Sequence, residues 1–256
     1  MLSGAKHRSI TSEPDSQPPG GRPFLVILAL DTTTRAGSVA VLRDGETLSE
    51  ITGDASLTHG QRLPADLGRA LDAAGVVLDD VRLLAVVAGP GSFTGLRVGI
   101  AAIQGLAFSR GLAVVPVSAL EAIGRQVFRH TGEPGLVASW IDAQRGEVFA
   151  ILYDGNVERP LAAASSAPPQ ATLDSWADLF DSRPVVFAGD GAVRYKDAIA
   201  RTIGARATVL EPAPALAAEA ARIAARHPDR AVAPHAIVPI YVRRPDAELA
   251  RGRAGR

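Results

Sequence analysis

The sequence has no cysteine. That excludes disulfides, cysteine-ligated zinc, iron–sulfur clusters and thiol catalysis, and it fits a reducing compartment. Lysine is nearly missing: Lys6 and Lys196 stand alone, and the other 25 basic residues are arginine. A net charge is missing too, since 27 basic residues face 27 acidic ones. A chain that holds nucleic acid unaided usually projects a basic field, and this one does not. No apolar run reaches the roughly 18 residues of a membrane span. Residues 1–22 lack the apolar stretch of roughly 7–15 residues that marks a secretory signal. The expected location is the cytoplasm, with no membrane contact. No HxxxH or HExxH pair exists, so no metal site is expected from this chain. No GxSxG elbow supports Ser-His-Asp catalysis.

What is present is 256 residues, enough at roughly 100–200 per domain for one large domain or two small ones. The polar, Ser/Pro/Gly-rich residues 1–22 read as a disordered extension and 244–256 as a flexible tail. Residues 24–30 (FLVILAL) form a short branched apolar run, the pattern of a doubly buried strand. Strands at 38–42 and 46–52 flank Arg43-Asp44-Gly45, a hairpin signal. Residues 59–74 have helical period, with Leu63, Leu67, Ala70, Leu71 and Ala74 on one stripe and Gln61, Ala65, Arg69 and Asp72 opposite. Pro64 belongs in a first turn, which puts the helix start near 60–63. A strand at 83–88, a helix at 94–110 and a strand at 114–117 follow. The second half repeats the theme, with strands at 136–141, 147–153 and 185–188 and helices at 172–180, 192–203 and 214–226. Residues 159–171 read as a loop by composition. The order predicts two similar α/β halves, 23–117 and 118–243, each a mixed sheet covered by helices. The last helix, 214–226, is expected to pack back on the first half.

Four features could carry chemistry. Asp31, Thr32, Thr33 and Thr34 end the first strand, where a carboxylate and hydroxyls can hold phosphate or a magnesium-bound water, or cap a turn. In Gly89-Pro90-Gly91-Ser92, glycines permit a tight turn and Ser92 can cap the next helix, whose N-terminus with Arg97 could form an anion site. The alternative is a capped connector. Within that helix Gly95, Gly99, Ala102 and Ser109 share a smooth face that admits a second helix at close range, from a partner subunit or from 59–74 of the same chain. Asp142-Ala143-Gln144-Arg145-Gly146-Glu147 reads as a solvated turn between strands.

Together, LALDTTTRAGSVAV (28–41), THGQRLP (58–64), VVAGPGSFTGLRVGIAAIQGLA (86–107), IDAQRGEVFA (141–150), GDGA (189–192) and PIYVR (239–243) resemble the TsaB (YeaZ) family. The resemblance implies two ribonuclease-H-like halves of the actin/Hsp70/sugar-kinase-like kind. It implies a non-catalytic role in installing threonylcarbamoyl on the adenosine beside the anticodon of tRNAs that read A-starting codons. The implied partners are a TsaD-like catalytic subunit and a TsaE-like ATPase, with tRNA met only inside the complex and a homodimer when the partner is absent. The implied partner surface is His59, Leu63, Leu67, Ala70, Gly95, Gly99, Ala102 and Leu106. No cofactor is expected on the chain alone. ATP or ADP at the shared interface would face Asp31, Thr32, Thr33, Gly91, Ser92 and Arg97. The competing reading is an ATP-binding kinase or ATPase of the same fold. Against it, phosphate-binding members of the wider fold begin Asp-x-Gly-Thr-Thr, and Thr33 stands in the glycine's place. Asp142 is likewise followed by Ala143-Gln144-Arg145 rather than by glycines. Gly60 and Gln61 replace the family's more usual Ser and Glu after the histidine.

Overall fold

The computed structural model describes residues 24–132 and 135–243. The expectations for 1–22 and 244–256 lie outside the described residues.

Strand β1 (Val26–Asp31) is buried along its whole length, as its branched apolar run requires. It turns through Asp44 and Gly45 between β2 (Ser38–Arg43) and β3 (Glu46–Thr52), both turn residues holding positive φ, at 51° and 87°. Two consecutive left-handed residues match the twist of a hairpin, and Asp-Gly supplies them cheaply. Helix α1 (His59–Ala74) leads to β4 (Val81–Gly89), and α2 (Phe93–Arg110) leads to β5 (Val114–Ser118). The sheet order is β3-β2-β1-β4-β5, with β4 and β5 parallel to β1. Helix α3 (Ala119–Thr131) then crosses to the second half. There, β6 (Leu136–Asp142), β7 (Val148–Asp154) and β8 (Pro160–Ala167) make a second antiparallel meander. Helices α4 (Pro169–Ser175) and α5 (Ala177–Phe180) precede β9 (Val185–Ala188). Helices α6 (Asp190–Arg194) and α7 (Lys196–Ile203) precede β10 (Ala207–Val209). The second order, β10-β9-β6-β7-β8, repeats the first strand for strand. This is the paired ribonuclease-H-like architecture of the actin/Hsp70/sugar-kinase-like class.

Alternate residues of β1 serve different layers, as strand geometry demands. Val26, Leu28 and Leu30 meet the α1–α2 layer. Ile27 and Ala29 join a core shared with α3, with α8 (Ala217–Arg226) and, across it, with Val137, Ile141 and Ala188 of the second sheet. The far side of that sheet packs Trp140 edge-on to Phe187, 5.4 Å between ring centres. Helix α8 belongs to the second half in sequence, yet it packs on the first. Its N-terminus is capped across the core, Leu216 and Ala217 N–H donating to Ser38 Oγ (3.3 and 3.0 Å) and Ala218 N–H to Glu50 Oε1 (3.0 Å).

Several expectations need correction. Residues 159–171 are not a loop: 160–167 form edge strand β8, drawn into extension by pairing with β7 despite small side chains of low strand propensity. Helix α3 was not foreseen, although Ser118, which caps it, and Glu121 carry a readable start signal. The helices expected at 172–180 and 192–203 are each broken, at Trp176 and Tyr195. Pro64 sits past the first turn of α1; it and Gly60, whose carbonyl it leaves without a helical donor, are both exposed to water. The glycine half of the smooth α2 face is closed within the chain, while Ser109 is exposed. A Cβ on Gly95 would overlap the Thr32 carbonyl, and one on Gly99 would overlap Thr32 Oγ1. Gly105 on the same helix faces open space.

That contrast makes a paired test. Gly99→Ala overpacks a buried contact and is expected to destabilise by about 1–3 kcal/mol. Gly105→Ala removes a helix-interior glycine from an open position and is expected to stabilise by up to about 1 kcal/mol. Urea denaturation of the two variants checks the opposite signs.

Candidate functional site

The C-terminal ends of β1 and β4 face those of β6 and β9, the place where α/β sheets gather their ligands. Between them lies a cleft of about 1220 Å³, walled by Thr33, His59, Ser92, Asp142, Asp190 and Arg243 among others.

The first wall is the β1–β2 loop. Asp31 is 2% exposed, and its Oδ1 accepts from the Thr33 N–H (2.8 Å) and the Thr33 hydroxyl (2.6 Å). Burial pushes the Asp31 carboxyl up to about 6, against the lowering effect of those two hydrogen bonds. The Thr33 carbonyl accepts from Ser92 N–H (2.8 Å), and Gly91 lies so close to Thr33 that a Cβ there would overlap it. Ser92 Oγ accepts from Gly95 N–H (3.2 Å) and caps α2 as expected. Thr32 is buried beneath the loop against α2. Of the six residues expected to face a nucleotide, Thr33, Gly91 and Ser92 reach the cleft. Asp31 and Thr32 lie under its surface. Arg97 does not join an anion site: it is exposed and stacks over the Phe93 ring, 3.9 Å from its centre.

The same loop is held from α1 by His59 and Arg62. Arg62 is 5% exposed; its guanidinium pairs with Asp66 and donates to the Ala36 carbonyl and to His59 Nδ1 (2.8 Å). A guanidinium can only donate, so His59 Nδ1 accepts and Nε2 carries the hydrogen that reaches the Thr34 carbonyl (3.0 Å). Burial, and then the Arg62 charge, push the His59 pKa down, which keeps this neutral tautomer. A Cβ on Gly53 would overlap the Arg62 guanidinium, so that glycine makes its berth. Gln61 accepts from the Thr58 N–H (2.9 Å) and does as a cap what a glutamate would. Arg62 was missed in the sequence, although an Arg–Asp pair four residues apart on a helix was a usable signal.

The opposite wall repeats the pattern. Asp142 ends β6 as Asp31 ends β1, and it accepts from Gln144 N–H (3.1 Å), Gln144 Nε2 (2.9 Å) and Arg194 (2.6 Å). Asp190, after β9, accepts from Asp142 N–H (3.0 Å), and burial pushes its pKa up. The turn is solvated as expected, Gln144, Arg145 and Gly146 being exposed, and all three hold positive φ. Both carboxylates at the strand ends are therefore engaged by their own loops.

The expected partner surface is also rearranged. Leu63 and Ala70 are buried in the chain's own core, Gly95 and Gly99 are covered by Thr32, and His59 lines the cleft. Leu67, Ala102 and Leu106, besides His59, keep part of their surface. Beside them α1 and α2 expose Ala65, Gly68, Ala101, Gly105 and Phe108, the last 86% exposed, together with the charged Arg69, Asp72 and Arg97. No helix among the described residues is long and apolar enough to cross a membrane.

Residues 53–250 match the family model described as TsaD, tRNA N6-adenosine threonylcarbamoyltransferase. The chain is 43% identical over 125 residues to the tRNA threonylcarbamoyladenosine biosynthesis protein TsaB of Haemophilus influenzae, a match covering 49% of this chain. It spans about half of that relative's length, 52%. The solved structure of YeaZ from Pseudomonas aeruginosa is 31% identical, with a TM-score of 0.68 over 85% of this chain and 99% of that one. A component of (R)-2-hydroxyglutaryl-CoA dehydratase from Acidaminococcus fermentans shares the fold alone, at 12% identity and a TM-score of 0.51 over 79% of this chain and 98% of that one. The chain belongs to the broad family that the TsaD model describes and, within it, to the TsaB (YeaZ) branch.

Proposed function

We propose that this chain is a non-catalytic subunit of the cytoplasmic assembly that places threonylcarbamoyl on the adenosine beside the anticodon. In this reading it docks on a TsaD-like catalytic subunit, and a TsaE-like ATPase joins the pair. It meets tRNA only within the complex and pairs with a second copy when the partner is absent. ATP or ADP, where bound, sits at the interface against Thr33, Gly91 and Ser92 rather than in a site of this chain alone.

The observation that carries the non-catalytic part is the closure of both strand-end loops. A phosphate cradle needs backbone N–H groups and a carboxylate free to meet the ligand or its metal. Here Asp31 is buried and bonded to Thr33, and Asp142 is bonded to Gln144 and Arg194. Support for docking comes from α1 and α2, whose outer face carries the small exposed residues Ala65, Gly68, Ala101 and Gly105, rimmed by the charged Arg69, Asp72 and Arg97. Small residues let a partner backbone approach closely, and Phe108 offers an apolar anchor beside them.

Two experiments test this. Ala101→Arg changes an exposed position, so stability should move by no more than about 0.5 kcal/mol. Pull-down of the TsaD-like subunit, and tRNA modification in a reconstituted mixture, should both fall about tenfold or more, the equivalent of a lost interface contact worth over about 1.4 kcal/mol. Wild-type values for both would sink the surface assignment.

Asp31→Asn tests the idle loop. The folded-state pKa of Asp31, about 6, lies above its ordinary value of 3.8. The stability this group confers is present below about pH 4 and lost as pH rises to about 6. Above that, ionisation costs about 1–3 kcal/mol, at 1.36 kcal/mol per unit. Asn keeps the acceptor and cannot ionise, so the variant should be more stable than wild type at pH 8 and lose the advantage below pH 4. Modification in the reconstituted mixture should stay within about twofold. A kinase or ATPase working through Asp31 would lose turnover instead.

A further inference from the structure

We infer that residues 240–243 form a latch that holds the two halves closed on one side of the cleft. This goes beyond the docking proposal and does not depend on it. After α8 the chain runs along the first half. Val232 pairs with Val114, exchanging N–H···O bonds of 2.8 and 3.0 Å, and Gln104 Nε2 donates to the Pro234 carbonyl (2.9 Å). At the end of β4 the Ile240 N–H donates to the Ala88 carbonyl (2.7 Å), and Gly89 leaves no room for a Cβ beside the Ile240 carbonyl. Tyr241 then lies against Phe93, the first residue of α2, with ring centres 6.0 Å apart.

Two residues later the chain is fastened to the other half. Arg243 Nε and Nη2 donate to Ser166 Oγ on β8 (3.2 and 3.1 Å), Nη1 donates to the Ala143 carbonyl (3.3 Å), and Nη2 pairs with Glu147. Its guanidinium also stands 5.6 Å from the centre of the Phe149 ring. One planar fork therefore gathers the β6–β7 turn, the start of β7 and the end of β8, an arrangement that lysine cannot reproduce. The other joins between the halves behave differently. Helix α3 meets both sheets and shares one apolar core with α8, a join that tolerates rotation about it as a hinge. The Arg243 contacts are polar and reach solvent, with 25% and 33% exposure for the two side chains of the ion pair. Hydrogen bonds of that kind exchange with water, so they can open and close. Tyr241 and Arg243 both line the cleft, so whatever frees them changes its width.

The absence of cysteine makes the test direct. Ala55→Cys and Arg201→Cys are exposed positions, one on each half, and accept spin labels with no competing thiol. The labelled full chain, diluted with unlabelled chain, is read by pulsed electron paramagnetic resonance. The background should give one narrow distance. Arg243→Ala should add a population longer by more than about 2 Å, the scale of hinge rearrangements. Arg243→Lys, which keeps the charge but not the fork, should fall between the two. A chain ending at Ile240 should open at least as far as Arg243→Ala. Should Arg243→Ala fail to give native near-ultraviolet circular dichroism, Glu147→Gln takes its place with the same expectation. An unchanged narrow distance in the natively folded Arg243 variant (or its Glu147 substitute) and in the shortened chain would overturn the latch.

Discussion

A guanidinium taken out of water keeps its charge, so the fold must bring acceptors to it. Arg62 gathers Asp66 from its own helix, the Ala36 carbonyl from the β1–β2 loop and His59 Nδ1 from the helix start. Removing one partner from such a buried pair costs about 3–5 kcal/mol. Set against a total stability of about 5–15 kcal/mol, that is enough to fix where every group stands. The loop carrying Asp31, Thr32 and Thr33 is therefore pinned to α1, and its neighbour α2 is pinned to the loop through Ser92, Gly95 and Gly99. The cleft wall, helices α1 and α2 and the first sheet form one fastened unit.

The duplication sharpens the point. The two sheets have the same strand order, and Asp31 and Asp142 stand at equivalent strand ends. In both places the carboxylate is turned onto its own loop, but by different means: a threonine with N–H and hydroxyl in the first, a glutamine and an arginine from α6 in the second. The architecture fixes where a site would sit, and the loops decide whether one exists. The two loops are thus closed by unrelated contacts at equivalent strand ends.

Much of this was legible in the chain, for physical reasons that differ by element. The doubly buried run before Asp31, the Asp-Gly turn and the α1 stripe are local signals, and each element formed where its period placed it. Strand β8 was illegible because its extension comes from pairing with β7, a contact that sequence periodicity does not encode. The breaks at Trp176 and Tyr195 carry neither Gly nor Pro, so nothing local announced them. At the site, Ser92 and Thr33 could be placed by motif, but the burial of Asp31 could not, because it depends on α2 lying across the loop. Arg243 sits in a recognisable motif, yet its partners lie 77 to 100 residues away in sequence.

The glycines of α2 show why one helical pattern can have two causes. Gly95 and Gly99 are four residues apart on one face, and a helical wheel reads them as a surface prepared for a second helix. Their neighbour is instead a loop of the same chain, whose Thr32 fills the space a side chain would take. Gly105, two turns further along, meets nothing, and Ala101 beside it is exposed. A glycine that admits an internal contact is constrained by stability, while one that admits an external contact is free in the isolated chain and constrained only in an assembly. Sequence presents both as the same absent side chain. The distinction lies in what stands opposite, and on this helix the exposed small residues Ala101 and Gly105 lie about a third of a turn away from the stripe that looked smoothest.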